Sequence, residues 1–328
     1  MDKKSYGLLK PHLGPGHRAM ILVRPDPDSL ASAWALSLLF EKEKSSAVIT
    51  IHESLKRIEN RTMVKLMHIP VVLFKETDIN SYNRWCIVDA QPNQFPDLDI
   101  PWDIVIDHHP AVEGHTYLYS DIRPETGATS TILTQYLHDA GVHVGEWMST
   151  SLCYGIISDT DHFQRNMTRA DALAFSSLFP HVNYAALQAI EQTEILFRHL
   201  PYLNLALSRL KVKSRRVVIS LGAVDSADIP VILADFFIRV SGIEFVAVAG
   251  IEKEKLVIIF RSRGIRRNTG KIVSQRFSEL GSAGGHHSTA RAELPIGCLP
   301  PEVKLYNPDS IEEFISKRLQ RPKKNTGK

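Results

Sequence analysis

Short apolar runs alternate with longer segments of helical spacing through the first half of the chain. Runs at Ala19–Val23, Ala47–His52 and Ile104–Ile106 are bounded by turn residues and predict buried strands. Between them, Ser29–Glu43 and Asn60–Met67 carry apolar residues at helical spacing. Similar apolar runs predict strands at Val71–Phe74 and Trp85–Val88. Helical spacing predicts helices at Gly127–Asp139, Met148–Ile157 and Arg169–Leu178. Strands alternating with helices predict a parallel sheet with both faces covered.

A second pattern begins near Val212, after a predicted helix at Pro201–Leu210. It predicts strands at Val217–Leu221, Phe245–Gly250 and Lys255–Phe260, and helices at Ile229–Val240 and Ile272–Glu279. We therefore predict an α/β protein. Its N-terminal domain, with a mainly parallel sheet flanked by helices, spans residues 1–190. A connecting helix or linker spans 191–206, and a smaller C-terminal α/β domain spans 207–328.

Composition narrows the function only slightly. The 328 residues carry a formal net charge of +3, which fits an anionic substrate without requiring one. The three cysteines include no CxxC spacing, so a zinc–thiolate site is not favoured. No apolar stretch reaches membrane-spanning length and the N-terminus has no apolar core run. We expect a cytoplasmic protein with no membrane partner, and the sequence leaves a homodimer open.

Four segments place acids or histidines where predicted strands or helices end. They are RPDPDS at 24–29, VDA at 88–90, IDHHP at 106–110 and ISDT at 157–160. Because sites in open α/β sheets gather outside the carboxyl ends of strands, these side chains are expected to converge. Several aspartates brought together repel unless a cation neutralises them. Carboxylates with an imidazole suit Mn²⁺ or Mg²⁺, and two such ions about 3.5–4 Å apart can activate water and clamp a phosphoryl oxygen.

Each segment also has a structural interpretation that carries no chemistry. Asp26 and Asp28 fit a turn, because Pro-Asp sequences favour turns. Asp89 and Asp159 fit helix caps. Asp107, His108 and His109 at the end of a predicted strand are harder to explain by a purely structural role. The four segments together, in this order, favour a metal site.

The ordered motifs resemble the DHH/DHHA1 phosphoesterase family, including its oligoribonuclease and pAp-phosphatase type. They are RPDPDSLAS at 24–32, VDA at 88–90, DHHP at 107–110, GATSTIL at 127–133, GIISDTDHF at 155–163 and GSAGGHHSTA at 281–290. The resemblance implies one Mn²⁺ or Mg²⁺ on Asp28, Asp89, His108 and Asp159, and another on Asp26 and the bridging Asp89. It implies catalytic roles for Asp89 and for His109, which would face the substrate phosphate.

One position departs from this family pattern. Members usually carry a histidine four residues before the first aspartate of the DxD pair, and Leu22 occupies that position here. The first metal position loses its imidazole, which should weaken binding there, so the sequence leaves one or two ions open. His17 is the histidine closest in sequence.

The glycine-rich segment at 281–290 is the second candidate binding region. Gly284 and Gly285 allow the backbone close to a ligand, and a helix N-terminus after them would offer N–H groups to an anion. His286 and Arg261 are the candidate phosphate donors, and the resemblance implies that this domain grips a nucleotide. A flexible turn with solvent-exposed histidines is the alternative for the glycine-rich segment. Arg261 and Arg263 share one face of the predicted strand, and a solvated charged strand edge is the alternative for these arginines and above all for Arg266 and Arg267.

The expected function is hydrolysis of small nucleotide phosphoesters by metal-activated water. Short oligoribonucleotides, pAp and cyclic or linear dinucleotides are the candidate substrates, because no aromatic-rich strip or long basic tract indicates a long-strand nuclease. The alternative is a degenerate nucleotide-binding protein with little or no catalysis, which Leu22 favours. A pyrophosphatase is a third and weaker hypothesis, because the glycine-rich second domain resembles the nucleotide-handling type.

Overall fold

The computed structural model describes residues 4–191, 197–263 and 268–320. The chain divides into two compact units, Met1–Thr193 and Glu194–Lys328. Among the described residues, no helix is both long and apolar enough to cross a membrane. Arg266, Arg267 and residues 321–328 lie outside the described residues.

The first unit is built on a six-stranded sheet in which every described pairing is parallel. Its strands are β1 (Arg18–Val23), β2 (Ser46–Ile51), β3 (Val71–Leu73), β4 (Arg84–Val88), β5 (Ile104–Asp107) and β6 (Tyr119–Ile122). The strand order is β3-β2-β1-β4-β5-β6. The chain therefore reverses its direction of travel across the sheet between β1 and β4, where open α/β sheets bind ligands.

The helices of this unit are α1 (Lys4–Leu9), α2 (Pro27–Lys42), α3 (Ile58–Met67), α4 (Thr129–Asp139), α5 (Glu146–Asp159), α6 (Arg169–Leu178) and α7 (Tyr184–Glu191). Alternate strand residues enter different apolar clusters, because successive strand side chains point to opposite faces. Ile21 and Val23 join a core with residues of α2, α4 and α5. Met20 and Leu22 join another with Tyr82, Phe95 and Trp102.

The second unit holds a mixed six-stranded sheet. Its strands are β7 (Val212–Lys213), β8 (Arg216–Ala223), β9 (Phe245–Glu252), β10 (Lys255–Ser262), β11 (Ser282–Gly285) and β12 (Thr289–Pro295). The order is β11-β12-β10-β9-β8-β7, and only the β8–β9 pair is parallel. Its helices are α8 (Leu200–Ser208), α9 (Asp228–Ile238), α10 (Thr269–Phe277) and α11 (Pro308–Gln320). Residues of α9 pack in one apolar cluster, and those of α10 and α11 in another.

The predicted fold class is confirmed, since the first unit has a parallel sheet flanked by helices and the second is a smaller α/β unit. Several elements were absent from the prediction, among them β6, α7 and α11. β6 reads Tyr-Ser-Asp-Ile at the sheet edge, so its apolar signal is weak. The glycine-rich segment forms β11 and is followed by β12. The expectation of a helix N-terminus directly after these glycines is therefore wrong.

Candidate metal centre

The acids and histidines predicted to converge lie at the carboxyl edge of the first unit's sheet. Asp26 and Asp28 follow β1, Asp89 follows β4, and His108 follows β5. Asp159 is the last residue of α5, a helix end as the sequence indicated. β1, β4 and β5 are neighbours in the parallel sheet, so their carboxyl ends lie side by side at the point where the strand order reverses.

The loop after β1 is held by a local cap. Asp26 is the N-cap of α2, and its Oδ1 accepts from the Ser29 backbone N–H at 2.8 Å. The Asp26 N–H donates in return to Ser29 Oγ at 3.0 Å, which completes a capping box. Asp26 therefore has the local structural role that the turn interpretation predicted, and its Oδ1 already accepts a hydrogen bond.

Asp28 is fully buried and caps a different helix. Its Oδ2 accepts from the Thr129 N–H and its Oδ1 from the Ser130 N–H, both at 2.7 Å. The N-cap residue of α4 is Ala128, which has no acceptor in its side chain. Asp28 therefore satisfies N–H groups that α4 cannot satisfy by itself, and it is fixed by them in turn.

Asp89 follows β4 with a backbone φ of 58°, a conformation uncommon for a residue other than glycine. Its N–H donates to the Ile106 carbonyl at 2.9 Å, and its Oδ1 accepts from Thr129 Oγ1 at 2.8 Å. The carboxylate is therefore held between two elements of the site. Strained backbone of this kind is concentrated at functional sites.

The imidazole of His108 faces two carboxylates. Its Nδ1 lies 3.2 Å from the Thr126 carbonyl oxygen, and since that oxygen can only accept, Nδ1 is assigned the proton. Nε2 then lies 2.9 Å from Asp159 Oδ2 and 3.5 Å from Asp89 Oδ1. Buried Nε2 makes no hydrogen bond of acceptable geometry within the described residues. Such an arrangement is stabilised by a second proton on the ring or by a cation among the three groups.

Burial and like charges raise the pKa of the carboxyl groups here. Burial, and then the charge of Asp159, raises the pKa of Asp26 to about 7 and also raises that of Asp28. Burial and then the charge of Asp28 raise the pKa of Asp89 well above its ordinary value. Burial lowers the pKa of His108, but Asp159 and Asp28 outweigh it and raise that pKa to about 9. Without a cation, the site therefore holds protons that a metal ion would displace.

Within the described residues there are two groups of potential ligands in which one donor atom from each residue lies within 4.8 Å of the others. One is Asp28, His108 and Asp159, and the other is Asp89, His108 and His109. Asp26 belongs to neither group. Carboxylate oxygens together with an imidazole nitrogen are suitable ligands for Mn²⁺ or Mg²⁺. The buried His108 Nε2, which makes no hydrogen bond of acceptable geometry within the described residues, also fits a divalent cation at this position.

His109 is oriented by the aspartate of its own motif. Its Nδ1 lies 2.8 Å from Asp107 Oδ1, and Gln91 Nε2 donates to Asp107 Oδ2 at 2.7 Å. The hydrogen bond that the His109 ring donates to Asp107 raises the pKa of His109. The His109 side chain is 34% exposed, whereas that of Asp107 is fully buried. Asp107 therefore fixes the ring and leaves Nε2 available at the edge of the site.

Leu22 lies where the family pattern has a histidine. It is fully buried in an apolar cluster with Met20, Ile87 and Val105. His17 does not replace the missing imidazole, because it precedes β1 while Asp26 follows it. The His17 Nε2 lies 3.0 Å from the Arg84 guanidinium instead.

Two buried residues of this site, Gln91 and Asp171, were missed by sequence reasoning, and Thr129 was recognised only as part of the GATSTIL motif. Gln91 supports Asp107, and Thr129 binds Asp89 through its hydroxyl. Asp171 accepts from the Gly127 N–H at 3.0 Å. A signal existed for Asp171, because Thr168-x-x-Asp171 has the spacing of a capping box, which the structure contains. No local pattern predicts the other contacts.

The candidates in the second unit are described separately. Arg261 pairs with Asp235 through Nε at 2.6 Å and Nη2 at 3.2 Å, so its charge is already balanced within the unit. Arg263 donates to three carbonyl oxygens, of Ile243, Ile238 and Val240, and its contacts are structural.

The glycines of the second unit lie in β11. Gly285 has a φ of 148°, and an added Cβ would come within 2.3 Å of the Thr289 carbonyl oxygen. An added Cβ at Gly284 would meet nothing within 4 Å, so this position is open. The N-terminus of α10 packs here, but the Thr269 and Gly270 N–H groups donate to the carbonyls of His287 and His286. These backbone donors are therefore already used.

Sequence comparison finds a longer relative of this chain. No family model matches the chain. It is 32% identical over 277 residues to an uncharacterised protein of Methanocaldococcus jannaschii, and the match covers 84% of this chain and 57% of that protein. The chain thus spans little more than half the length of this relative.

Two solved structures show the fold. An exopolyphosphatase-related protein from Bacteroides fragilis superposes with a TM-score of 0.73 at 15% identity, over 93% of this chain and 92% of that chain. The exonuclease RecJ bound to manganese superposes with a TM-score of 0.50 at 12% identity, over 98% of this chain and 95% of that chain. At these identities the likeness concerns the fold.

Proposed function

We propose that this chain, which has the DHH/DHHA1 fold that its motifs resemble, is a divalent-metal-dependent phosphoesterase acting on small nucleotide phosphoesters. The observation that carries the proposal is the buried His108 Nε2, which lies 2.9 Å from Asp159 Oδ2 and 3.5 Å from Asp89 Oδ1. The pKa values of Asp28 and Asp89 are raised by burial and by neighbouring acids. A cation relieves this repulsion, whereas a purely structural cluster would retain it.

The ligands assigned to one ion are Asp28, Asp89, His108 and Asp159, with Asp26 and Asp89 assigned to a second position. Mn²⁺ or Mg²⁺, if held by these residues, would lower the pKa of a water molecule and neutralise charge on a phosphoryl oxygen. Thr129 and Ser130 hold Asp28 in place through their backbone N–H groups. The second metal position has fewer donors, because Leu22 offers none. Whether the site holds one ion or two therefore depends on the affinity of this second position for the metal.

Substrate handling is assigned to His109 in the first unit and to the glycine-rich region of the second. Asp107 fixes the His109 ring, which leaves Nε2 to hold or release a proton at a phosphate oxygen. Gly284, Gly285, His286 and Arg261 are the residues assigned to nucleotide binding. The open space at Gly284 supports a close approach of the ligand to the backbone.

The direct test is a substrate panel with metal analysis on the same sample. The panel contains pAp, short oligoribonucleotides, cyclic and linear dinucleotides and an inorganic polyphosphate, each with Mn²⁺ or Mg²⁺. We expect turnover of at least one nucleotide phosphoester, and bound metal in the protein recovered from the assay. A protein that binds no divalent cation and cleaves nothing would overturn the proposal, and cleavage of polyphosphate alone would reject the nucleotide substrate.

A nucleotide-binding protein with little or no catalysis is the second candidate, and the apolar burial of Leu22 is the observation that favours it. Binding without turnover, unchanged in Asp89→Asn, would support this candidate. Leu22→His tests whether the missing imidazole limits the site, and it should then raise Mn²⁺ affinity and turnover together. A gain in neither would reject Leu22 as the limiting residue.

A further inference from the structure

A carboxylate outside the proposed ligand set joins two segments of the first unit. Asp171, in the first turn of α6, is fully buried. Its Oδ2 accepts from the Thr168 N–H at 2.8 Å and from Thr168 Oγ1 at 2.6 Å, within the capping box. Asp171 also accepts from the Gly127 N–H at 3.0 Å and from Thr131 Oγ1 at 2.6 Å. Its donors therefore come from two segments about forty residues apart in sequence.

Capping of α6 alone does not account for this burial. A capping aspartate in the first turn of a helix is ordinarily solvated, and burial of an ionised carboxylate is costly without compensating hydrogen bonds. The ion pairs of the described residues include none with Asp171. Its charge is therefore balanced by hydrogen bonds, and the donors Gly127 and Thr131 belong to the turn that begins α4.

That turn, defined as Thr126–Thr131, contacts three of the four proposed ligands of one ion. The Thr126 carbonyl accepts from His108, and Thr129 binds both Asp28 and Asp89. The turn packs tightly against its support, because a Cβ added at Gly127 would lie 2.7 Å from Asp171 Oδ2. A shift of the turn would therefore change the orientation of all three ligands together.

We propose that Asp171 is a positioning residue that fixes the Thr126–Thr131 turn and thereby the orientation of Asp28, Asp89 and His108 for cation binding. The inference rests on the proposed function insofar as it requires a cation at that point. Asp171 itself lies outside the coordination groups found in the described residues. It acts through hydrogen bonds to the turn, as outer residues of metal sites do.

The test compares Asp171→Asn with Asp103→Asn. An asparagine side chain presents an NH₂ group where the surrounding groups are all donors, so the turn must shift. Asp103 also bonds a backbone N–H, that of Trp85 at 3.0 Å, and pairs with Arg84, but it lies before β5, at the opposite end of that strand from the site. We expect Asp171→Asn to weaken Mn²⁺ binding by about 10- to 100-fold, and Asp103→Asn to leave it unchanged.

Both variants are measured for Mn²⁺ affinity, for the electron paramagnetic resonance spectrum of bound Mn²⁺, and for unfolding in EDTA. A purely structural role for Asp171 predicts lower stability with wild-type affinity and spectrum, and this result would overturn the inference. Failure of wild-type protein to bind Mn²⁺ would instead reject the proposed function, so the two failures are distinguishable.

A milder pair of variants keeps the test valid if Asp171→Asn does not fold. Thr131→Val removes one donor to Asp171 at nearly constant volume. Thr134→Val, on the same helix, removes only a hydroxyl bonded to the Ser130 carbonyl at 2.6 Å. We expect a several-fold loss of Mn²⁺ affinity in Thr131→Val and none in Thr134→Val. Equal affinities in the two variants would contradict the inference.

Discussion

The two candidate regions differ in how completely their polar groups are satisfied. At the carboxyl edge of the first unit, buried carboxylates face each other and His108 Nε2 has no hydrogen-bond partner within the described residues. In the second unit, Arg261 is paired with Asp235 and the first N–H groups of α10 donate to backbone carbonyls. Uncompensated charge therefore marks the first region as the place that needs a ligand, whereas any ligand of the second must compete with existing contacts.

The largest expected effect comes from removing the imidazole of the first region. His108→Ala should abolish metal-dependent turnover and reduce Mn²⁺ affinity by more than about 100-fold, because it removes the nitrogen donor and leaves the acids unneutralised. Isothermal titration with Mn²⁺ and the nucleotide assay measure both effects. The exposed His115, which stacks on Tyr117, provides the control His115→Ala with wild-type behaviour. Persistent turnover in His108→Ala would reject the ligand assignment.

Close packing behind Asp28 gives the second prediction. A Cβ added at Gly155 in α5 would lie 2.3 Å from Ser130 Oγ and 3.1 Å from Asp28 Cα. Gly155→Ala should therefore lower the free energy of unfolding by about 1–3 kcal/mol and weaken Mn²⁺ binding. Gly7→Ala in α1 is the control, because nothing lies within 4 Å of its added Cβ. Equal stabilities of the two variants would show that the helices can separate without cost.

The pH dependence of stability tests the uncompensated charge directly. In EDTA, the folded-state pKa of Asp26 is raised from 3.8 to about 7, and that of His108 from 6.5 to about 9. A raised folded-state pKa contributes stability at low pH that is lost as pH rises through the folded value. Denaturant unfolding in EDTA should therefore show stability that falls between about pH 4 and about pH 7 through Asp26 and between about pH 6.5 and about pH 9 through His108.

Saturating Mn²⁺ should oppose this loss, because it binds the ionised ligands of the folded state. The control is the same titration on His108→Ala, which should respond little to the metal. Metal-free stability that rises over this pH range would contradict the charge arrangement.

The smallest effect is expected in the second unit. Arg261→Ala should raise KM for the nucleotide by less than about tenfold and leave kcat unchanged, because Asp235 already balances the arginine and a partly exposed pair contributes little. Arg215→Ala, which removes an exposed partner of Glu244, is the control and should change neither constant. A large fall in kcat for Arg261→Ala would place this residue at the reacting phosphate and remove the contrast between the two regions.

The parts of the fold that local pattern encodes were predictable. Strands β1, β4 and β5 each contain a continuous apolar run with an acid within three residues after it, so both the strands and the candidate residues are visible in the sequence. The capping box of Asp26 and Ser29 is equally local, since its partners are three residues apart. Edge elements such as β6 carry too few apolar positions to be recognised.

Tertiary structure alone decided what these side chains do. Asp28 caps α4 across about 100 residues of sequence, and Asp171 reaches Gly127 across 44. No pattern of spacing predicts such contacts, because hydrogen-bond geometry depends on the three-dimensional packing of distant elements. The sequence determined which residues with metal-binding chemistry are present and at which strand ends. Packing determined which lone pairs are left facing one another, and that depends on distances that only the folded chain defines.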